Sequence, residues 1–296
     1  MLQQLIIGMG EALWDVFPEG KRLGGAPANF AYNISQLGLN GQVVSAIGND
    51  KLGREILSVF NSKKIKYSLP LVDCPTGTVQ VSLDDKGVPC YEICQDVAWD
   101  EIPFTDELQA MAQHTQVICF GSLAQRSATS RATINAFIDA MPQDEGVLRI
   151  FDINLRQDFY TKEILENSFE KCNVLKTNDE ELEIIAHLFG YNQLDLSEVC
   201  QALIANYNFK YLILTCGVEG SYVFSKEEES FCKTPLVKVK DTVGAGDSFT
   251  AAFTVAHLRG MSIQEAHQFA VSVSAYVCTQ AGAMVNFPEE LIQQVR

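Results

Sequence analysis

The feature that most constrains this chain is an alternation of short apolar runs with helix-length amphipathic stretches. Leu2 to Gly8 reads as a buried strand, and Ala26 to Leu37 as a helix stopped by Gly38. Gln42 to Ile47 is strand-like, and Leu52 to Phe60 has helical spacing. Further strands are predicted at Val117 to Phe120, Val147 to Asp152, Asn173 to Lys176 and Tyr211 to Thr215, with helical segments between them. Short apolar runs joined by helices predict an α/β fold, a parallel sheet covered on both faces. No repeat, low-complexity tract or linker interrupts the pattern, so residues 1–296 read as one domain.

Two segments break the alternation. Glu11 to Phe17 is strand-like and precedes the first helix. Thr78 to Ile93 alternates through Val79, Val81 and Leu83, turns at Asp84-Asp85-Lys86-Gly87 and resumes, which is a hairpin signal. Such an insert is either an antiparallel edge of the main sheet or a separate small sheet. Its position beside a glycine-rich stretch favours a lid over a ligand cleft, with segments at about 11–23 and 76–98.

Charge narrows the partners. Asp plus Glu number 37 against 22 Lys plus Arg, a formal net charge of −15. That excess argues against nucleic acid or an anionic membrane, both of which demand clustered cations. No apolar run approaches the roughly 18–20 residues of a membrane span. The N-terminus has no basic stretch and soon meets Glu11 and Asp15, so a secretory signal is not expected. The nine cysteines are odd in number, with no C-x-x-C pair. Cys90 and Cys94 fall on one predicted strand, roughly 13 Å apart and beyond disulfide reach. All nine read as reduced thiols of a cytoplasmic protein. The four histidines lack metal-ligand spacing, so any metal is expected to arrive with a substrate.

The strongest local signal is Asp241-Thr-Val-Gly-Ala-Gly-Asp247 before an apolar helix stripe at Phe249, Ala252, Phe253 and Ala256. Gly244, Ala245 and Gly246 then present backbone N–H groups at a helix N-terminus, a geometry suited to phosphate. An acid in a first helical turn often only complements the dipole. Beside this cradle, however, Asp247 is a carboxylate base next to an anion site, the pairing that phosphoryl transfer to an alcohol needs. The chain has no G-x-x-x-x-G-K-[ST] and no H-R-D loop, which excludes P-loop enzymes and protein kinases. Gly8-Met-Gly10 begins like a dinucleotide fingerprint, but Leu13 stands where its third glycine belongs.

Three stretches together resemble the ribokinase-like, or PfkB, carbohydrate kinases. They are Gly24-Gly-Ala-Pro-Ala-Asn29 before a helix, Ser45-Ala-Ile-Gly48-Asn-Asp50-x-x-Gly53, and Asp241 to Asp247, in that family's order and spacing. Glu11-Ala-Leu-Trp-Asp15 and Asp152-Ile-Asn154-Leu-Arg156 look most like bacterial fructokinases. The resemblance covers essentially the whole chain. It implies a three-layer α/β/α domain with a mostly parallel central sheet and a small β-sheet lid.

The resemblance also implies roles. Asp247 would be the general base for a sugar hydroxyl, with the N–H groups of Gly244, Ala245 and Gly246 as the anion hole. Asp15, Gly24, Gly25 and Asn29 would hold the sugar. Arg156 would contact phosphate or substrate. Asn178 and Glu181 match the family's N-x-x-E motif, which arranges Mg²⁺ and phosphate, often through water; the same pair forms a helix capping box, and the two readings are compatible. Thr215, Gly217 and Gly220 resemble the nucleotide-side turn. Asp241 and the Thr279-to-Ala283 turn often surround a monovalent cation such as K⁺. One departure is Val271, where fructokinases usually carry Asn near the nucleotide base.

The implied activity is ATP- and Mg²⁺-dependent phosphorylation of fructose to fructose 6-phosphate. Between Thr76 and Glu101 the only basic residue is Lys86, against six acids. That balance suits a neutral sugar over a phosphorylated one. The alternatives are a sister kinase for ribose, a keto-deoxy sugar acid or a nucleoside, and, more remotely, a non-catalytic sensor on the same fold. The apolar face at Val79, Val81 and Leu83 permits a homodimer through the lid, or packs on the chain's own sugar site.

Overall fold

The computed structural model describes residues 5–83 and 89–296. Along the chain, β1 (Leu5–Met9), β2 (Leu13–Phe17) and β3 (Gly20–Gly24) lead into α1 (Ala26–Gln36). β4 (Asn40–Val44), β5 (Ile47–Gly48), α2 (Lys51–Ser62), β6 (Lys66–Ser68), β7 (Leu71–Val72), β8 (Gly77–Leu83) and β9 (Pro89–Ile93) follow. Helix and strand then alternate through α3 (Asp106–Ala112), β10 (Thr115–Phe120), α4 (Ala128–Ala140), β11 (Leu148–Asp152), α5 (Lys162–Lys171) and β12 (Val174–Asn178). The last third holds α6 (Asp179–Phe189), α7 (Leu196–Tyr207), β13 (Tyr211–Cys216), β14 (Gly220–Phe224) and β15 (Glu229–Cys232). α8 (Ala245–Leu258), α9 (Ile263–Cys278) and α10 (Glu289–Gln293) close the chain.

The main sheet runs β15-β14-β13-β12-β11-β10-β1-β4-β6. Its strands are parallel from β6 to β13, and β14 and β15 add an antiparallel edge. Successive strand residues face opposite sides, so each strand supplies two cores. Ile6 and Val117 join Phe30 of α1, Phe253 of α8 and Phe269 of α9 on one face. Ile7 and Ile118 join Phe137 of α4, Phe169 of α5 and Ile185 of α6 on the other. This is the three-layer α/β/α arrangement that the alternation predicts. β10 and β4 lie on opposite sides of β1, so the winding direction reverses there. A crevice opens beyond the carboxyl ends of the strands at such a point.

A second sheet, in order β3-β2-β8-β9, stands apart from the first, so the insert is not an edge extension. β2 and β8 pair in parallel across a long sequence gap, and β8 and β9 pair antiparallel. The expected turn at Asp84-Asp85-Lys86-Gly87 lies outside the described residues. Val79 and Val81 are buried with Ile93 in the chain's own core. Beside this sheet, the Arg126 guanidinium donates to Asp100 Oδ1 at 2.9 Å and to the Cys94 carbonyl at 2.6 Å. It lies 4.1 Å from the Trp99 ring centroid and 4.6 Å from that of Phe159.

The eight described cysteine thiols are unpaired. No helix among the described residues is long and apolar enough to cross a membrane. Val271 packs half-buried against the α8–α9 core.

Candidate active site

A cleft of about 800 Å³ opens between the small sheet and the carboxyl ends of β1, β11, β12 and β13. Its phosphate-like end is the start of α8. The carbonyl of Thr242 accepts from Ala245 N–H at 3.2 Å, and Gly244 turns the chain at φ 78° before the helix proceeds. The expected three-donor cradle is therefore altered: Ala245 N–H is taken by Thr242, and Ala245 does not line the cleft. Gly244, Gly246 and Asp247 do line it, and their N–H groups have no backbone acceptor among the described residues. Unpaired N–H groups in a first helical turn are what an anion binds.

Asp247 stands in that first turn, and its Oδ2 accepts from Asn29 Nδ2 at 2.8 Å. Asn29 comes from α1, is 4 % exposed and lines the cleft, so it is not a solvated helix position. Burial, reinforced by the charge of Asp152, pushes the Asp247 carboxyl up to about 7; the Asn29 hydrogen bond and Lys176 pull the other way. A carboxylate poised near neutrality suits a general base.

The far end of the cleft belongs to the small sheet. Asp15 on β2 leans over Gly24 of β3, where a Cβ would sit 2.5 Å from its Oδ2. Burial raises the Asp15 carboxyl to about 6 against the opposing charges of Arg156 and Arg22. Gly25 caps α1 without a side chain, and Ala26 N–H instead donates to Glu11 Oε1 at 3.3 Å. Arg156 lines the same end, next to Gln157, whose Nε2 donates to the Tyr91 carbonyl of β9 at 2.8 Å. Asn154 and Gln157 hold φ of 47° and 49°, so this loop is held in a backbone region that non-glycine residues seldom adopt.

On the third side, Asn178 and Glu181 form the predicted capping box at α6: Asn178 Oδ1 accepts from Glu181 N–H at 2.8 Å, and Glu181 Oε2 from Asn178 N–H at 3.0 Å. Glu181 Oε1 also accepts from Leu155 N–H at 3.0 Å. Both residues line the cleft, as does Thr215 at the end of β13.

Besides Ala245, three sequence-selected positions fall outside the lining. Gly217 sits in the turn between β13 and β14. Gly220 is packed, since a Cβ there would meet the Cys232 carbonyl at 2.6 Å. Asp241 is a structural tie: Oδ2 accepts from Gly282 N–H at 3.0 Å and Arg22 Nη1 at 3.2 Å, and Oδ1 from Val243 N–H at 3.1 Å.

The lid acids also read differently in three dimensions. Asp100 is buried against Arg126, and neither Glu92 nor Asp96 lines the cleft. Asp84, Asp85 and Lys86 lie outside the described residues. The acidity facing a ligand comes instead from Glu11, Asp15, Asp152, Glu181 and Asp247, against Arg156 and Lys176. Glu11 and Asp152 open two of the motifs quoted from the sequence but carried no assigned role there, and Lys176 and Gln157 are lining residues outside every assigned role. For Lys176 the sequence offers one signal, a lysine inside the apolar run before Asn178.

A helix N-terminus and a half-buried, near-neutral carboxylate in a cleft at the reversal of a doubly wound sheet define the site of an anion-handling enzyme. The profile of the pfkB family of carbohydrate kinases matches residues 11–290, and the chain belongs to that family. It is therefore a sugar kinase, a phosphotransferase with an alcohol acceptor. An ATP-dependent 6-phosphofructokinase of Thermoanaerobacterium thermosaccharolyticum is 30 % identical over 91 % of this chain and 83 % of its own length. A fructokinase of Salmonella typhimurium is 28 % identical over 95 % of each. The crystal structure of a Xylella fastidiosa fructokinase with bound ATP shares the fold, with a TM-score of 0.86 at 22 % identity over 99 % of this chain and 98 % of that one.

Proposed function

We propose that the protein transfers the γ-phosphoryl group of Mg·ATP to the primary hydroxyl of a neutral sugar, with fructose as acceptor and fructose 6-phosphate as product. The observation that carries this reading is Asp247: a half-buried carboxylate, raised toward neutrality, in the same helical turn as the N–H groups of Gly246 and Asp247 itself, which have no backbone acceptor among the described residues. Asn29 orients its Oδ2, leaving the other carboxylate oxygen for the hydroxyl proton. The sugar oxygen forms a bond to Pγ, the bond from Pγ to the β,γ-bridging oxygen breaks, ADP leaves, and the hydroxyl proton passes to Asp247. The α8 N–H groups hold the charge on the transferring group.

Asp15, Gly24, Gly25 and Asn29 form the sugar end, with Asn178 and Thr215 toward the nucleotide. Mg²⁺ enters as part of the nucleotide substrate. The Glu181 oxygens already accept backbone N–H groups, so Glu181 suits contact with that ion through water and not as a direct ligand. At Asp241, Oδ2 accepts from Gly282 N–H and Arg22 while Oδ1 accepts from Val243 N–H alone, so Oδ1 keeps a lone pair that could meet a monovalent cation such as K⁺. The family's soluble chemistry supports a cytoplasmic setting.

A neutral acceptor is supported by the charges of the cleft itself: Lys176 faces Asp152 at 3.2 Å, which leaves Arg156 as the one cation without a carboxylate partner among the described lining residues. That same Arg156, beside Asp15, favours a second reading in which the acceptor is anionic, either a phosphorylated sugar or a sugar acid. ADP release with Mg·ATP, measured across fructose, ribose, glucose, 2-keto-3-deoxygluconate, adenosine and fructose 6-phosphate, separates them. Fructose is expected to give the highest kcat/KM. A higher value with an anionic sugar would overturn the neutral-sugar reading in favour of the second.

A further inference from the structure

Three cleft-lining residues each carry a buried side-chain oxygen with no hydrogen-bond partner among the described residues: Glu11 Oε2, Asn29 Oδ1 and Asp152 Oδ1. All three are acceptors. Lys176 stands 3.2 Å from Asp152 Oδ1 as its ion-pair partner, and Asn29 already belongs to the sugar end. Glu11 is left, a carboxyl in the cleft wall that the reaction as described does not use. Buried polar atoms in folded proteins are nearly always paired, so an orphan acceptor in a cleft wall marks a donor that arrives with the ligand.

Local structure fixes where this carboxyl stands. Glu11 follows β1 and Gly10, whose N–H donates to the Val44 carbonyl at 3.0 Å. Gly25 lies against it, since a Cβ there would come within 2.2 Å of the Glu11 carbonyl. Gly25 has no side chain to cap α1, so Glu11 Oε1 does so instead, accepting from Ala26 N–H at 3.3 Å. That contact occupies one oxygen and holds the side chain in the wall, with the residue 3 % exposed. Both ends of the cleft feel it: Arg156 of the sugar end and Asp152 of the floor act on Glu11, and Glu11 acts in turn on Asp247. Burial pushes its carboxyl up, while its own N–H, that of Ala26 and the charge of Arg156 pull it down. A hydroxyl both donates and accepts, so it pairs with this carboxyl in either protonation state.

We propose that Glu11 is a specificity-determining residue, its Oε2 hydrogen-bonded to a hydroxyl of the acceptor other than the one phosphorylated. A wall of unpaired acceptors selects a ligand rich in hydroxyl hydrogens. An acceptor that lacks its hydroxyl at this point leaves Oε2 buried and unpaired, which is how a polar site rejects a deoxygenated analogue. This role depends on the proposed acceptor end of the cleft but not on which sugar fills it.

The test must separate this role from simple capping of α1. Wild type and Glu11→Met are each assayed with the sugar that wild type turns over best and with every monodeoxy analogue of it that keeps the phosphorylated hydroxyl. The readout is the ratio of kcat/KM for the parent sugar to that for each analogue. Any loss from uncapping α1 falls on all the sugars alike and cancels in this ratio. Wild type is expected to prefer the parent over one analogue by about 10–100-fold through Glu11, the worth of a hydrogen bond to a charged group. In Glu11→Met that one preference should shrink to within about threefold, while the preferences at the other hydroxyls stay. Glu11→Gln, which keeps an oxygen for Ala26 N–H, should lose part of the same preference and serves in place of Glu11→Met should that variant not fold. If every ratio is the same in variant and wild type, Glu11 only caps α1 and the proposal fails. It fails equally, with no variant needed, if wild type distinguishes no analogue from the parent by more than about threefold. If wild type prefers a sugar other than fructose, the substrate reading fails while this comparison stands on the preferred sugar.

Discussion

The floor of the cleft and the small sheet above it solve different problems with different materials. The floor gathers Asp152, Lys176 and Glu181, all buried, and the half-buried Asp247 at the ends of main-sheet strands and at helix starts. Each is fixed by at least one neighbour: Asn29, Thr250, Asp152 or a backbone N–H. The small sheet is more open. Tyr91 is 56 % exposed, and the sheet meets the floor through contacts such as Gln157 to the Tyr91 carbonyl and the tie from Arg22 to Asp241. The comparison teaches that the proposed chemistry is built into buried, tied elements, whereas the proposed acceptor end lies on a more exposed surface that should be alterable without disturbing it. Changes to the floor should alter kcat, and changes to the sheet should alter the sugar KM.

The largest expected effect breaks the floor. Asp247→Asn should lower kcat by roughly 10²–10⁴-fold, the contribution of a positioned base, while sugar KM stays within a few-fold. Near wild-type turnover would remove Asp247 from the mechanism. The same variant carries a stability prediction of opposite sign. Asp247 has a folded pKa of about 7, above the unfolded carboxylate range, so its contribution is most favourable at low pH and is lost as pH rises from about 4 to 7. Asn mimics the protonated form, so Asp247→Asn should melt higher than wild type at pH 8, with the gap closing toward pH 5. Thermal scans at both values check this.

Next comes the floor's ion pair. Lys176→Met alone leaves Asp152 buried without its cation and should cost about 3–5 kcal/mol of stability, most of it regained when Asp152→Asn is added. Denaturant unfolding measures both; a single variant as stable as wild type would mean the pair is not buried in solution. On the sheet, Asp15→Asn should raise sugar KM by about 10–100-fold, the cost of about 1.5–3 kcal/mol for a hydrogen bond to a charged group, and change kcat less. A fall in kcat with KM unchanged would erase the division between the two regions. The smallest effect is expected at Gln157→Ala, which removes one exposed hydrogen bond to β9 and should raise sugar KM only a few-fold.

The same division explains what the sequence could tell. The alternation of strand and helix, the glycine-rich turn before α8 and the Asn178–Glu181 capping box are local patterns, and local patterns survive in one dimension. Asp247 and Asn29, 218 residues apart, could be joined only because both sit in motifs that resemble one family's. The parallel pairing of β2 with β8 has no local signature, since the register is decided by contacts across the intervening chain. Asp100 counted as a lid acid in sequence but is neutralised by Arg126, which comes from a different segment. Lys176 reads in sequence as a charge at a strand end; only the stacking of β11, β12 and α8 places it beneath Gly246. Ala245 was grouped with its glycine neighbours by composition, and a single turn hydrogen bond to Thr242 sets it apart.

The central claim is that the half-buried Asp247 carboxylate in the floor takes the acceptor proton, and the pH dependence of kcat/KM tests it most directly. Around Asp247 stand Asp152 from β11, Lys176 from β12, Glu11 beyond β1 and the neutral Asn29 of α1; burial and the two acids raise it, and the lysine and the amide oppose them. The base must be ionised to act, so wild-type kcat/KM should fall below a midpoint near 7 and level off above it, and Asp15→Asn should keep that midpoint. A wild-type profile that stays flat from pH 8 down to pH 5 would contradict the account.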